Sequence, residues 1–324
     1  MGYCRDPRSP LRCAHWLPAG EKDDEKMTTS GFRNEAGRDQ ISSDRRILSV
    51  LETIAAQPDG VTPKAVSQAL RLHLSTCYRL LNTLRAAGYV VRAPNGHFSL
   101  GRRVAYLSHR YESALRPRPE ALAFLHALQL ATRETAMLCR LEDGDVVVTA
   151  TVRGSRPGSH PDEYIGLAGP AYAFAAGRVL LAGLPAAQRE AILARGQAAP
   201  DLPGLPRVSL QSLRDEISKV QQKGFAVDHG DGASGVCCYA APIRDRAGVT
   251  AAVATVAPCA RLRPDEPRVL PILLETARAI STMLRSLPAH QPGAALYDHA
   301  AGAVSQVAIE TAQAAIADAM SRVT

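Results

Sequence analysis

At 324 residues the chain is too long for one ordinary domain and short for three, so two domains with flanking segments are expected. Apolar residues make up 46% and charged residues 21%, near globular averages, and no run of about 18 apolar residues exists. Wholesale disorder and a membrane-spanning helix are both argued against. The net charge of +7 is concentrated in one region: between positions 44 and 110, ten basic residues (Arg45, Arg46, Lys64, Arg71, Arg79, Arg85, Arg92, Arg102, Arg103, Arg110) stand against Asp44, Glu52 and Asp59. That excess equals the excess of the whole chain, and such a basic segment beside a nearly neutral remainder is the footprint of a module that meets a polyanion.

Residues 1–41 are polar and punctuated by Gly and Pro, so a disordered arm is expected there, with Met27 an alternative translation start. Nothing in it reads as a secretory signal, and a cytoplasmic location is expected. Seven cysteines (Cys4, Cys13, Cys77, Cys139, Cys237, Cys238, Cys259) form an odd, scattered set with no C-x-x-C. Reduced thiols are expected, with neither a disulfide framework nor a zinc ribbon. On a strand, Cys237 and Cys238 would face opposite sides.

From Ser43, the spacing of Ile47, Leu48, Leu51, Ile54 and Ala55 predicts an amphipathic helix that stops at Pro58-Asp59-Gly60. Thr62 caps a short second helix with Pro63 at its first position. Ser75 is placed to cap a third, which runs to Ala87 and ends at Gly88. On that third helix Cys77, Leu80, Leu81 and Leu84 share one side, while Ser75, Thr76, Arg79, Asn82, Thr83 and Arg85 fall largely on the other. Residues 89–92 and 97–100 flank Pro94-Asn95-Gly96 as a hairpin. Three helices and a hairpin, with the surplus charge concentrated there, make the layout of a winged helix-turn-helix over residues 42–101.

Residues 102–117 read as a linker helix of the kind that often dimerises, bounded by Pro117 and Pro119. A second domain over 118–288 follows, with helices near 120–131, 171–184, 210–223 and 264–287 and strands near 136–141, 146–152, 225–228, 236–241 and 250–256. The class is α+β. Residues 289–324 hold an Ala-rich stretch at helical spacing, open between a further helix, an oligomerisation arm and a floppy tail.

The chain resembles the IclR (isocitrate lyase regulator) family of bacterial transcription factors from about Arg46 to Leu287. The resemblance rests on V-L-E-T-I-A-A at 50–56, V-T-P-K-A-V-S-Q-A-L at 61–70, L-S-T-C-Y-R-L-L-N-T-L at 74–84, G-Y-V-V-R at 88–92 and F-S-L-G at 98–101. It continues through P-A-Y-A-F-A-A-G-R-V-L-L-A at 170–182, G-F-A-V-D at 224–228, C-C-Y-A-A-P-I at 237–243 and A-A-V-A-T-V-A-P at 251–258. Within the run at 170–182 the family's usual His, small Ser or Thr, and Lys are Tyr172, Phe174 and Arg178. The resemblance implies a GAF-like α/β effector-binding domain behind the DNA-binding head, no enzymatic activity and no cofactor.

On this reading Arg79 and Asn82 reach base edges or phosphates in the major groove, and Ser75, Thr76, Tyr78 and Arg85 contact phosphates. Arg92 and His97 on the wing, and Thr62 at the second helix, complete the DNA-facing set. Carried onto matching positions, the effector cleft is lined by Ala175, Ala176, Asp228, Cys238, Ala254 and Val256, with Tyr172, Phe174 and Asp231 nearby. Ala254 and Val256 stand where some relatives that bind small hydrophilic acids carry hydroxyls, which points to a more apolar effector such as an aromatic or longer organic acid. Expected partners are double-stranded promoter DNA, a small organic effector and a second copy, as a dimer or dimer of dimers, with no membrane. Two alternatives stay open at this point: a winged-helix zinc sensor using His229, Cys238, Cys139 and Asp228, and a thiol enzyme using Cys237, Cys238 or Cys259 with His229.

Overall fold

The computed structural model describes residues 38–157, 165–198, 208–230, 235–287, 296–297 and 306–321, with side chains of 38–44, 197–198 and 319 left aside. The chain divides into two compact units between Tyr111 and Glu112. The first holds α1 (Arg38–Ala55), α2 (Pro63–Ala69), α3 (Leu74–Ala86) and an antiparallel wing of β1 (Val90–Arg92) and β2 (Phe98–Leu100). Val50 and Ile54 of α1, Val66 of α2, and Cys77, Leu80, Leu81 and Leu84 of α3 each bury one stripe. They meet Val61, Val90 and Phe98 in a single core.

Helix α1 starts at Arg38, before the expected start at Ser43, because its opening turns are polar and carry no apolar period to reveal them. Thr62 caps α2: its Oγ1 accepts from the Ala65 N–H at 3.2 Å, and Pro63 follows at the first helical position. Arg71, in the left-handed conformation at φ 50°, makes the reversal to α3. That helix then starts at Leu74 with His73 at its cap, so Ser75, expected as the cap, lies in its first turn instead. Val61 and Phe98 exchange backbone hydrogen bonds of 2.9 and 2.8 Å, tying the foot of α2 to the wing. Gly101 returns the chain so close to the Gly88 carbonyl that a Cβ would collide with it, and only glycine fits.

Helix α4 (Arg102–Ala114) crosses the boundary between the units. The second unit then runs through α5 (Pro119–Thr132), β3 (Thr135–Glu142), β4 (Asp145–Val152), β5 (Ala168–Pro170), a 3-10 turn (Ala171–Ala173) and α6 (Ala175–Ala182). It continues with α7 (Ala186–Ala198), α8 (Leu210–Lys223), β6 (Ala226–Asp228), β7 (Val236–Arg244), β8 (Val249–Pro258), α9 (Cys259–Leu262), α10 (Glu266–Ser286) and α11 (Gln306–Ser321). The strands form one antiparallel sheet in the order β5-β4-β3-β8-β7-β6.

Alternation along the strands builds two cores, one on each face of the sheet. Cys237, Tyr239, Ala241 and Ile243 of β7 join Ala251 and Val253 of β8 in the core that includes α5, α10 and α11. Ala240, Ala252, Ala254 and Val256 belong to the core under α6, with Cys238 packed against it. The adjacent cysteines therefore do face opposite sides. Between β3 and β4 the register shifts: Leu138 pairs with Ala150 and Cys139 with Val148, which leaves Thr149 as the extra residue of a bulge. Val146 and Val148 consequently serve the α6 core and Ala150 the opposite one.

Three further features depart from the sequence expectations. Strand β5 and helix α7 are additional elements. The helix expected over 171–184 is interrupted at Phe174, whose extended backbone (φ −120°, ψ 147°) separates the 3-10 turn from α6; Gly177, where a Cβ would strike the Ala171 carbonyl, permits the close return. Of the readings left open for the C-terminal stretch, a further helix is formed over the described residues: α11 is present, and Leu296, Ala312 and Ile316 are buried in the core with α5 and α10. Finally, Cys237 and Cys259 are disulfide-bonded with Cα atoms 4.8 Å apart, against the expectation of reduced thiols throughout. The pairing of Cys237 with Ala257 carries the end of β8 alongside β7, and Cys259 follows two residues later, its N–H held by the Gly235 carbonyl at 2.9 Å.

Candidate functional site

Burial of Cys77, Leu80, Leu81 and Leu84 fixes the rotation of α3, and the residues between them are turned outward. Ser75, Tyr78, Arg79, Asn82 and Arg85 are exposed, and Thr76 is half-buried beside them. Tyr78 keeps 41% of its surface in contact with solvent, although an aromatic ring normally seeks cover. The Thr83 hydroxyl is spent on the Arg79 carbonyl at 3.0 Å and stays with the helix. Thr62 is likewise engaged, its hydroxyl capping α2.

On the wing, the turn is held by Asn95, whose Oδ1 accepts from the His97 N–H at 3.1 Å. The Arg92 guanidinium lies 5.8 Å from the centre of the Phe98 ring, which braces its stem while the side chain remains exposed. One helix face and one hairpin of the same unit thus present Arg79, Arg85, Arg92, Asn82 and His97 on a rigid core. Flexible cations on a fixed frame suit a regular polyanion.

In the second unit, antiparallel pairing sets Asp228 opposite Cys238, Cys238 opposite Val256, and Val256 opposite Thr135, a row across four strands. A second row runs Ala226, Ala240, Ala254, Met137. Ala175, Ala176, Val179 and Leu180 of α6 pack over these rows, with Phe174 against the same cluster. Small residues on both walls leave the backbone of α6 close to the sheet. Phe174 stands at the N-cap of α6, where it has no oxygen to accept the N–H groups of the first turn. Its ring instead meets Gly169, where no side chain would fit.

Asp228 ends β6 at 3% exposure, and its Oδ1 accepts from the Gly230 N–H at 2.9 Å, shaping the turn that leaves the strand. Asp231 lies outside the described residues. Tyr172 is placed apart from the other expected lining residues: it packs with Leu181, Leu193 and Leu213, and its ring covers Gly196 of α7. The absence of a side chain at Gly196 draws the ring away from α6's sheet-facing side. Met137 and Ala240 join these rows under α6 without having been expected; the alternation along β3 and β7 held the signal, but only the register with β8 converts it into a position.

The alternatives left open by the sequence find no support. Among the described residues no group of three or more His, Cys, Asp or Glu side chains is placed to hold a metal ion. Cys237 and Cys259 are bonded to each other, and the His229 ring stands edge-on to Tyr239, centroids 6.4 Å apart. No helix among the described residues is long and apolar enough to cross a membrane.

The sequence profile of the IclR helix-turn-helix domain matches residues 45–94, and that of the bacterial transcriptional regulator IclR C-terminal domain matches residues 110–282. The chain is 29% identical over 243 residues to the DNA-binding transcriptional repressor YiaJ of Escherichia coli, covering 74% of this chain and 86% of that one. Among solved structures, a transcriptional regulator of Rhodococcus sp. RHA1 shares 32% identity with a TM-score of 0.59, covering 74% of this chain and 97% of that one. An IclR homolog of Microbacterium hydrocarbonoxydans complexed with 4-hydroxybenzoate shares 27% identity with a TM-score of 0.58, covering 76% and 100%. With more than half of its length matched by the C-terminal profile alone, and with the fold to go with it, the chain belongs to the IclR family and is a transcriptional regulator built from a helix-turn-helix DNA-binding domain and an effector domain.

Proposed function

We propose that this regulator senses an aromatic or comparably apolar carboxylic acid between α6 and the sheet. The observation that carries the reading is the lining itself: Ala175, Ala176, Phe174, Cys238, Ala254 and Val256 put apolar surface on both sides, with no hydroxyl at positions 254 and 256 of β8. An aromatic ring gains by leaving water for such walls, at roughly 25 cal/mol per Å² of apolar area buried. Its carboxylate is complemented by the first-turn N–H groups of α6, which no side chain caps. Asp228 acts through the turn it holds at Gly230, keeping the end of β6 in place beside the ligand. A relative seen with 4-hydroxybenzoate supports this class of ligand.

The DNA reading follows from α3 and the wing. A single helix-turn-helix reads few base pairs, so a second copy on a palindromic site is required for specificity. Helix α4 supports a paired arrangement, since it buries no residue and leaves Tyr106, Leu107 and Tyr111 exposed. The ligand shifts the spacing of the two heads by its differential affinity for two arrangements of the pair.

Calorimetric titration with 4-hydroxybenzoate, benzoate, succinate and glyoxylate tests the ligand class, and gel shift on the DNA flanking the gene tests the interface. Tighter binding of the aromatic acids, with retarded DNA that responds to them, is expected. Preference for the small dicarboxylate or hydrophilic acid would overturn the ligand class, and absence of salt-sensitive DNA binding would overturn the interface.

A further inference from the structure

The C-terminal domain profile ends at residue 282, yet the chain continues to 324, and the described part of that continuation is built into the second unit. Its apolar stripe on α11, from Ala308 and Ile309 through Ala312 and Ile316 to Met320, recurs at helical spacing and packs in the core that includes α5 and α10. Its polar side, with Gln306, Glu310, Thr311 and Asp318, is exposed. Leu296 is fully buried in the same core.

Leu296 and Tyr297 are pinned by four contacts. The Leu296 carbonyl accepts from the Arg118 N–H at 2.8 Å, and Tyr297 forms an antiparallel bridge with Pro117. The Tyr297 hydroxyl donates to Thr149 Oγ1 at 3.3 Å, and Thr149 in turn donates to the Leu138 carbonyl at 3.2 Å, filling the β3–β4 bulge. The Arg140 guanidinium lies 5.4 Å from the centre of the Tyr297 ring and is bound on its other side by Glu142. Residues 115–118 are where the chain passes from α4 into α5, so every mechanical effect of the second unit on α4 through the chain passes through them.

We propose that this C-terminal extension is an intramolecular strap: it clamps the α4–α5 junction to the β3–β4 bulge and holds α4 in the geometry that DNA binding uses. Residues 115–118 have no ladder of their own, and the Leu296 carbonyl accepts the Arg118 N–H at the start of α5. The helix α11 supplies the anchoring area, and Leu296–Tyr297 is the clamp. Releasing the clamp frees the junction, and a loosened α4 pays an ordering cost each time two heads engage one site.

Hydrogen exchange of the full-length, ligand-free protein reads the junction directly, so its outcome does not depend on which effector the cleft accepts. Three variants are compared with the native chain: truncation after Leu287, Tyr297→Ala with Ile316→Glu, and the milder Tyr297→Phe. In the first two, exchange over 112–122 is expected to rise at least tenfold, while amides of β8 and α3 keep their native rates. Binding to the gene's flanking duplex is expected to weaken at least threefold, with α3 itself unaltered. If truncation unfolds the second unit, seen as loss of β8 protection, the double variant carries the test, and Tyr297→Phe, which loses only the hydrogen bond to Thr149, is expected to raise exchange over 112–122 by a smaller factor. Native exchange rates over 112–122 in a folded variant, or native DNA affinity despite a loosened junction, would overturn the strap.

Discussion

Glu134, 1% exposed, receives two hydrogen bonds from Arg261: Nε to Oε1 at 2.9 Å and Nη2 to Oε2 at 2.8 Å. Arg156 shares Oε1 at 3.2 Å and reaches Asp265 at 3.0 Å, so one buried carboxylate joins the end of α5, the segment after β4, and the α9–α10 region. Removing the carboxylate leaves two guanidinium groups without their common acceptor. Glu134→Ala is expected to cost about 3 kcal/mol, the low end for breaking a buried pair, because both arginines keep some access to water. A urea midpoint for the second unit within experimental error of native would show that the network contributes nothing.

The same network makes stability depend on acid. The hydrogen bond from Arg156, against the opposing effect of burial and with further help from Arg268, holds the Asp265 carboxyl below the ordinary carboxylate range. The folded chain thus takes up that proton less readily than the unfolded chain. The contribution is complete above about pH 4, the unfolded value, and is lost as the pH falls through the lowered folded value. Asp265→Asn should therefore lower the melting temperature at pH 7, with the difference from native shrinking as the pH falls below the ordinary carboxylate range. A difference independent of pH would assign the effect to packing.

How much of this was legible beforehand depends on distance along the chain. The stripe Cys77, Leu80, Leu81, Leu84, the Thr62 cap and the Asn95-Gly96 turn are local patterns, and the structure repeats them. Glu134, Arg156, Arg261 and Asp265 span more than a hundred positions, and no spacing announces that they meet. The pairing of Cys237 with Cys259 needs the β7–β8 register, and the placing of Ala150 needs the Thr149 bulge. Tyr172 was expected near the cleft from the family resemblance, but Gly196, absent from that motif, leaves its ring another place to lie. Leu296–Tyr297 had no period at all; its position is set by two backbone contacts with residues 117–118.

Two substitutions separate the two units functionally. Arg79 is exposed on α3, so Arg79→Ala should leave the core of Leu80 and Leu81 intact while removing a contact worth about 1–3 kcal/mol to DNA. The slope of log affinity against log salt should fall by about one if the contact is to phosphate. Stabilisation of the second unit by 4-hydroxybenzoate should persist. Asp228→Ala, which removes the acceptor for the Gly230 N–H, should do the reverse, retaining DNA binding and losing the ligand-induced rise in melting temperature. Joint loss of both activities in either variant would argue against separate roles for these residues.

The disulfide offers a test of what holds the β7–β8 hairpin to α9. Cys237 and Cys259 are 22 positions apart, and in the chain-entropy view a bridge closing a loop of that size stabilises by about 3 kcal/mol. Cys237 is fully buried in the core with α10, so the bond is shielded from exchange with small thiols until the region opens. Cys238, on the opposite face and outside the bond, serves as the internal control. Without reductant the native chain should melt above Cys259→Ser, and prolonged incubation with a phosphine reductant should bring the two together. Cys238→Ser should keep the full response to reductant. A native melting temperature indifferent to reduction would mean that the ladder of β7 on β8, and not the covalent link, holds this corner of the domain.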